Sequence, residues 1–246
     1  ELKNPNGCKI MNEIVLIVLT SWSAGIAAFV GSIAARWEGS PDTTAKQELI
    51  HGIVALGGGI LVAAVAFALA PTALSVLDSI TLIFTFCLGG IIFCLLDIRI
   101  SKSGGSKAQL MALLMDFFPE AISLGAVFGN ERRMGILLAA FIAAQNLPEG
   151  FNSYREITSS GTSSRKALIA LLAVSILGPI AACIGYFFLQ DKPEYTAGIM
   201  SFASGGILYL IFQDIAPESR MEQHWKPAFG AVLGFAIGML GHKLLA

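Results

Sequence analysis

The sequence predicts an all-α membrane protein, an eight-transmembrane-helix bundle, from three observations. Hydrophobic residues make up 55% of the 246-residue chain and charged residues 13%, with a mean hydropathy of +0.72. Apolar runs of roughly 20 residues recur along the whole chain, and each is long enough to cross a hydrocarbon core of ~30 Å as a helix. Polar residues are confined to short separators between those runs. A soluble domain of this length would carry far more polar surface.

Taken in order, residues 1–12 read as an N-terminal extension outside the working unit, and residues 13–246 as a single transmembrane domain. The expected spans are 13–35, 49–70, 74–97, 108–129, 134–154, 167–189, 196–216 and 227–245. Between them lie WEGSPDTTAKQ, RISKSGGSK, GNERR, REITSSGTSSRK, QDKPEY and ESRMEQHWK. Pro71 is expected to end the second helix and Pro227 to begin the eighth, where proline is tolerated. No cleavable signal peptide is expected, because the first apolar run is followed by seven more. Glycine clusters such as Gly57-Gly58-Gly59 suit close helix approach in lipid, and no Lys-Ser/Thr follows them to make a phosphate loop. The four cysteines lack CxxC spacing and read as small core residues. Trp37 and Trp225, near span ends, suit interfacial anchoring.

Charge orients the bundle. Ten of the sixteen Lys and Arg residues follow odd-numbered spans: Arg36, Lys46, Arg99, Lys102, Lys107, Arg155, Arg165, Lys166, Arg220 and Lys226. The positive-inside bias therefore places both termini outside the cytoplasm. A formal net charge of −1 gives no footprint for nucleic acid. Enzyme signatures such as HExxH and the Walker motif are absent, so no catalytic function is expected.

The chemistry lies in two consecutive spans carrying related patterns, Asp116-Phe-Phe-Pro-Glu120 and Gln145-Asn-Leu-Pro-Glu149. Residues four apart share a helix face, so Asp116 points with Glu120 and Gln145 with Glu149. A charge at mid-bilayer costs about 2.5–3.5 kcal/mol on the insertion scale. No Lys or Arg lies inside an apolar run to offset three carboxylates, so protons or a bound cation must do so. Pro119 and Pro148 also free the carbonyls of Met115 and Ala144, which a polar cavity could satisfy. Protonated carboxylates acting only as packing glue are the bland alternative.

These paired motifs on the fourth and fifth of eight helices resemble the ZIP (ZRT/IRT-like) metal transporters. The segments Ser201-Phe-Ala-Ser-Gly-Gly and Gln213-Asp-Ile-Ala-Pro-Glu218 resemble that family's seventh helix, and the likeness extends over most of residues 12–246. The resemblance implies Asp116, Glu120, Gln145 and Glu149 as the principal metal ligands, and Asn146 as a neighbouring metal-site position that often helps to bind a second metal. It implies Gln213 and Asp214 on the route to the cytoplasm, and Asp97 near the cytoplasmic end of the third helix. Position 116 is commonly His in the family, Phe117 stands where a polar ligand is common, and Gly178 stands where some relatives with a binuclear site have Glu. One metal rather than two is therefore implied.

The implied activity is movement of zinc, iron or manganese toward the cytoplasm, with no cofactor beyond the transported ion. Carriage of another small solute coupled to protons or cations, or metal sensing without transport, stays open as an alternative. An all-oxygen donor set suits Mn²⁺ comparatively better than an imidazole or thiolate set does. The lipid bilayer and divalent metal ions are the expected partners, homodimerisation is left open, and a bacterial cytoplasmic (inner) membrane is the expected location.

Overall fold

In lipid a backbone must satisfy its own polar groups, so each apolar run folds as a continuous helix. The computed structural model describes residues 5–39, 43–103, 105–222 and 224–245. Among them run α1 (Pro5–Glu38), α2 (Thr44–Val76), α3 (Ser79–Ser103), α4 (Gly105–Phe128), α5 (Arg132–Ser159), α6 (Ser164–Leu189), α7 (Pro193–Ser219) and α8 (Lys226–Leu245). Among the described residues, seven helices are long and apolar enough to cross a membrane: all of these except α4. α4 covers the expected fourth span, and the side chains of residues 105–109 and 112 lie outside the described residues. Residues 1–4 of the expected N-terminal extension also lie outside them, whereas residues 5–12 already belong to α1.

Pro71 does not end the second helix. The helix widens into one π turn at Val65–Leu69, where the Ala70 N–H reaches the Val65 carbonyl, and then continues through Pro71 to Val76. The wider turn accommodates a residue that lacks an N–H and would clash with a normal α turn. α7 repeats the device at Ile211–Ile215, where Ala216 N–H reaches the Ile211 carbonyl before Pro217. Two Ala-Pro pairs thus follow two π turns.

Close crossings are built from reciprocal glycines. A Cβ at Gly31 would meet the Leu147 carbonyl, and one at Gly150 the Ala28 carbonyl, which locks α1 to α5. Gly125 and Gly185 do the same for α4 and α6, and Gly89 and Gly205 for α3 and α7. Gly59 and Gly234 do so for α2 and α8. Each of Gly57, Gly58 and Gly59 admits a different neighbour: Pro148 of α5, Ile215 of α7 and Ala231 of α8. The triplet is a packing hub, as tight helix contact in lipid requires.

α4 and α5 occupy the centre. α5 packs against α1, α2, α4 and α8, while α4 packs against α3, α5, α6 and α7. Leu124, Leu137, Leu138, Ile142 and Leu171 form the buried core around them. α3 is peripheral, with Ile80, Ile83, Phe84 and Ile91 exposed along it. This corrects the cysteine reading for Cys87, which is exposed on α3; Cys94 and Cys183 are half-buried, and all three are free.

The ends carrying the ten cationic residues are stitched together. Arg155 Nη1 donates to Glu38 Oε2 at 2.7 Å and to the Gly39 carbonyl at 3.0 Å, joining α5 to α1. Glu48 on α2 meets His224 Nδ1 at 2.7 Å and Lys226 Nζ at 3.1 Å, before and at the start of α8. The same end of the bundle therefore gathers the basic loops, as the alternation of spans requires.

Candidate metal centre

The helical spacing places the expected side chains inward. Glu120 and Gln145 are 0% exposed, Asn146 2% and Asp116 4%, so the polar faces of α4 and α5 meet in the interior. Gln145 Nε2 donates to Glu120 Oε2 at 2.6 Å across the interface. Glu149, one turn further along α5, faces both Asp116 and Glu120. Asp116 Oδ1 accepts the Phe117 N–H at 2.9 Å. All four expected ligands are thus neighbours.

What remains unsatisfied there is chemically uniform. Glu120 Oε1, Gln145 Oε1, Asn146 Oδ1 and both carboxylate oxygens of Glu149 are buried without a hydrogen-bond partner. Every one of these atoms is an acceptor. Buried acceptors without donors are costly, and a bound cation would satisfy several of them at once. Among the described residues, no three His, Cys, Asp or Glu side chains close around one metal-sized point. The cross-helix bond explains part of this, since Glu120 gives one oxygen to Gln145.

Asp116 and Glu149 also line a cavity of about 430 Å³ that leads toward the basic end of the bundle. Its wall continues through Asp97, Gln213 and Asp214, so the residues expected on the pathway share one space with the central pair. Tyr209 Oη donates to Asp97 Oδ2 at 2.9 Å, which fixes that carboxylate on the wall. Among the described residues, no Lys, Arg or His lines the cavity.

Three lining residues were not singled out from sequence: Asn152, Glu156 and Glu218. Asn152 Nδ2 donates to Glu156 Oε1 at 2.8 Å and to Glu218 Oε2 at 2.9 Å, bridging α5 and α7. Residues 145, 149, 152 and 156 follow the four-three-four spacing of one helix face, a signal present in the sequence. It was masked because REITSS read as a separator, whereas α5 continues through it to Ser159.

Asn146 turns away from the cavity, and its Nδ2 donates to the Ala24 carbonyl of α1 at 2.9 Å. The histidines have other occupations: His51 Nδ1 lies 2.6 Å from the Glu218 carbonyl, His224 pairs with Glu48, and His242 stacks on Phe67. The buried donor set is therefore all oxygen.

The family model described as ZIP Zinc transporter matches residues 105–246, the segment that carries both motifs and α7. The chain belongs to the ZIP family. That match is narrower than the likeness expected over most of residues 12–246. Among similar proteins, the zinc transporter GufA of Myxococcus xanthus is 28% identical over 144 residues, covering 56% of this chain and 57% of its own. The zinc transporter ZIP13 of Gallus gallus is 26% identical over 155 residues, covering 62% and 42%. The zinc transporter ZIP11 of Homo sapiens is 26% identical over 156 residues, covering 57% and 45%. Each alignment spans less than two-thirds of the relative. The relatives named here are zinc transporters by name.

Proposed function

We propose that this ZIP protein carries a divalent transition-metal ion toward the cytoplasm through the Asp116–Glu120–Gln145–Glu149 cluster, with α4 as its eighth span. The observation that carries the reading is the set of buried, partnerless acceptor oxygens on Glu120, Gln145 and Glu149. The acidic cavity supplies a route, because it joins this cluster to the end of the bundle that the positive-inside bias assigns to the cytoplasm. The names of the curated relatives favour zinc, while an all-oxygen donor set admits manganese or iron. Uptake of a panel of Zn²⁺, Mn²⁺ and Fe²⁺ by reconstituted liposomes tests the reading, and liposomes that accumulate none of them above protein-free controls refute it.

Two variants separate the parts of this proposal. Asp214 lies on the cavity wall beyond the central cluster, so Asp214→Ala is expected to slow uptake while equilibrium binding stays near wild type. A loss of binding as large as that of a central variant would remove Asp214 from the pathway. Asp116→His replaces a hard carboxylate with a softer imidazole, and the ratio of zinc to manganese affinity is expected to rise about tenfold or more. Competitive titration of the two metals against folded protein reads that ratio directly, and an unchanged ratio means that position 116 does not touch the ion.

A further inference from the structure

α7 is not among the helices against which α5 packs, because the cavity lies between them. Asn152 crosses that space. Its Nδ2 donates to Glu156 Oε1 on its own helix at 2.8 Å and to Glu218 Oε2 on α7 at 2.9 Å. The two carboxyl groups also lie within hydrogen-bonding reach of each other. Glu156 and Glu218 stand within a turn of the ends of their helices, at Ser159 and Ser219, so the bridge spans the mouth of the cavity. The end of α7 is pinned separately to α2, since the Glu218 carbonyl accepts the His51 Nδ1–H at 2.6 Å.

An amide donates to both carboxyl groups but brings no charge to hold them together. Among the described residues, the titratable groups that share the cavity with the pair are all acidic: Asp214 on α7, Asp97 on α3, Asp116 on α4 and Glu149 on α5. The nearest bases are engaged elsewhere, His51 of α2 on the Glu218 backbone and Arg155, next to Glu156, on Glu38 of α1. Two carboxyl groups can bond to each other only when one carries a proton, and two ionised ones at that range repel.

We propose that Asn152, Glu156 and Glu218 form a proton-controlled clasp, which holds α5 to α7 across the mouth of the cavity and lets go when both carboxyl groups ionise. It rests on the proposed function only for its effect on transport. With one shared proton the bridge is complete and the mouth is narrow. As pH at that end of the bundle rises the proton passes to solvent, two charges face each other across one neutral amide, and the end of α5 moves off α7. Glu218 stays in place through His51. An ion leaving Glu149, seven residues up the same face of α5, passes this point on its way out, so the clasp sets how fast it leaves.

The test reads the width of the mouth without any metal. Val54 lines the cavity from α2, and Val54→Cys, in the full chain with its native cysteines changed to Ser, places a thiol there at little change in size. Its labelling by a small water-soluble maleimide is followed over a pH series in detergent with a chelator present. Each variant is compared with the unmodified clasp at the same pH, which removes the pH dependence of the thiol itself. Glu156→Gln keeps the hydrogen bonds and cannot ionise, so labelling at alkaline pH is expected to fall about tenfold. Asn152→Ala cuts the bridge, so labelling at acid pH is expected to rise by about as much. A merely structural role would move both variants in the same direction.

Glu218→Gln carries the same expectation as Glu156→Gln and covers a failure of that variant to fold, since its carbonyl still meets His51. Variants that label like the unmodified clasp throughout the series, or that shift together, overturn the clasp. Metal uptake by liposomes is measured beside it and should be slowed by Glu156→Gln at alkaline pH on the cavity side. Absence of uptake even without substitutions counts against the proposed function alone, because the labelling has already decided the clasp.

Discussion

Glu149→Gln should abolish high-affinity metal binding while leaving the fold intact. The substitution keeps shape and hydrogen-bonding capacity and removes one charge. Both Glu149 oxygens are buried without a partner, and the residue faces Asp116 and Glu120. Among the described residues, no other carboxylate combines those features with a place on the cavity wall. Removing one member of a buried charge pair costs about 3–5 kcal/mol, since the charge left behind is uncompensated. At ~1.4 kcal/mol per decade, the dissociation constant should rise by at least about a hundredfold. Titration of wild type and variant with Mn²⁺ and Zn²⁺ measures it, with elution volume and Tm in detergent as checks of folding. Equal affinities in two folded proteins would show that the ion is held elsewhere.

The part of the site that was legible in sequence is the part written in helix periodicity and charge cost. Asp116 with Glu120, and Gln145 with Glu149, are spaced four apart within apolar runs, and the interior location follows from that alone. Glu156 was equally well phased, two turns beyond Glu149. It was lost because a cluster of Arg, Glu, Thr and Ser resembles a loop, and α5 carries that polar turn down the cavity wall. Glu218 stood in a recognised motif, yet its bond to Asn152 joins residues 66 apart and could not be read from spacing.

The fold divides in the same way. The apolar runs give the helices, because lipid leaves the backbone no other way to satisfy itself. The π turns before Pro71 and Pro217 were not legible, since a proline after an apolar run looks the same whether the helix stops or widens. Nor was the peripheral place of α3: a helix apolar all round is marked for lipid or for core with equal force, which is why Cys87 was misplaced. The glycines announced close approach without naming partners, and those partners decide which helices are locked together.

That locking leads to the second large effect, on stability. Gly150→Ala should lower the Tm of the purified protein sharply, and Gly31→Ala should do the same from the opposite helix. At each position the new Cβ would be driven into a backbone carbonyl, Ala28 for Gly150 and Leu147 for Gly31. A side chain could rotate away, but a helix backbone has to move as a body, so the cost lies at the upper end of the ~1–3 kcal/mol usual for overpacking. The displaced helix is α5, and Gly150 adjoins Glu149, so metal affinity should fall together with stability. Gly198→Ala on α7 is the control. Nothing lies within 4 Å of its added Cβ, so it should be neutral or gain part of the ~1 kcal/mol by which alanine is the better helix former. Thermal unfolding of the three variants in one detergent decides the matter. If Gly150→Ala melts with Gly198→Ala and wild type, α1 and α5 do not cross at these glycines.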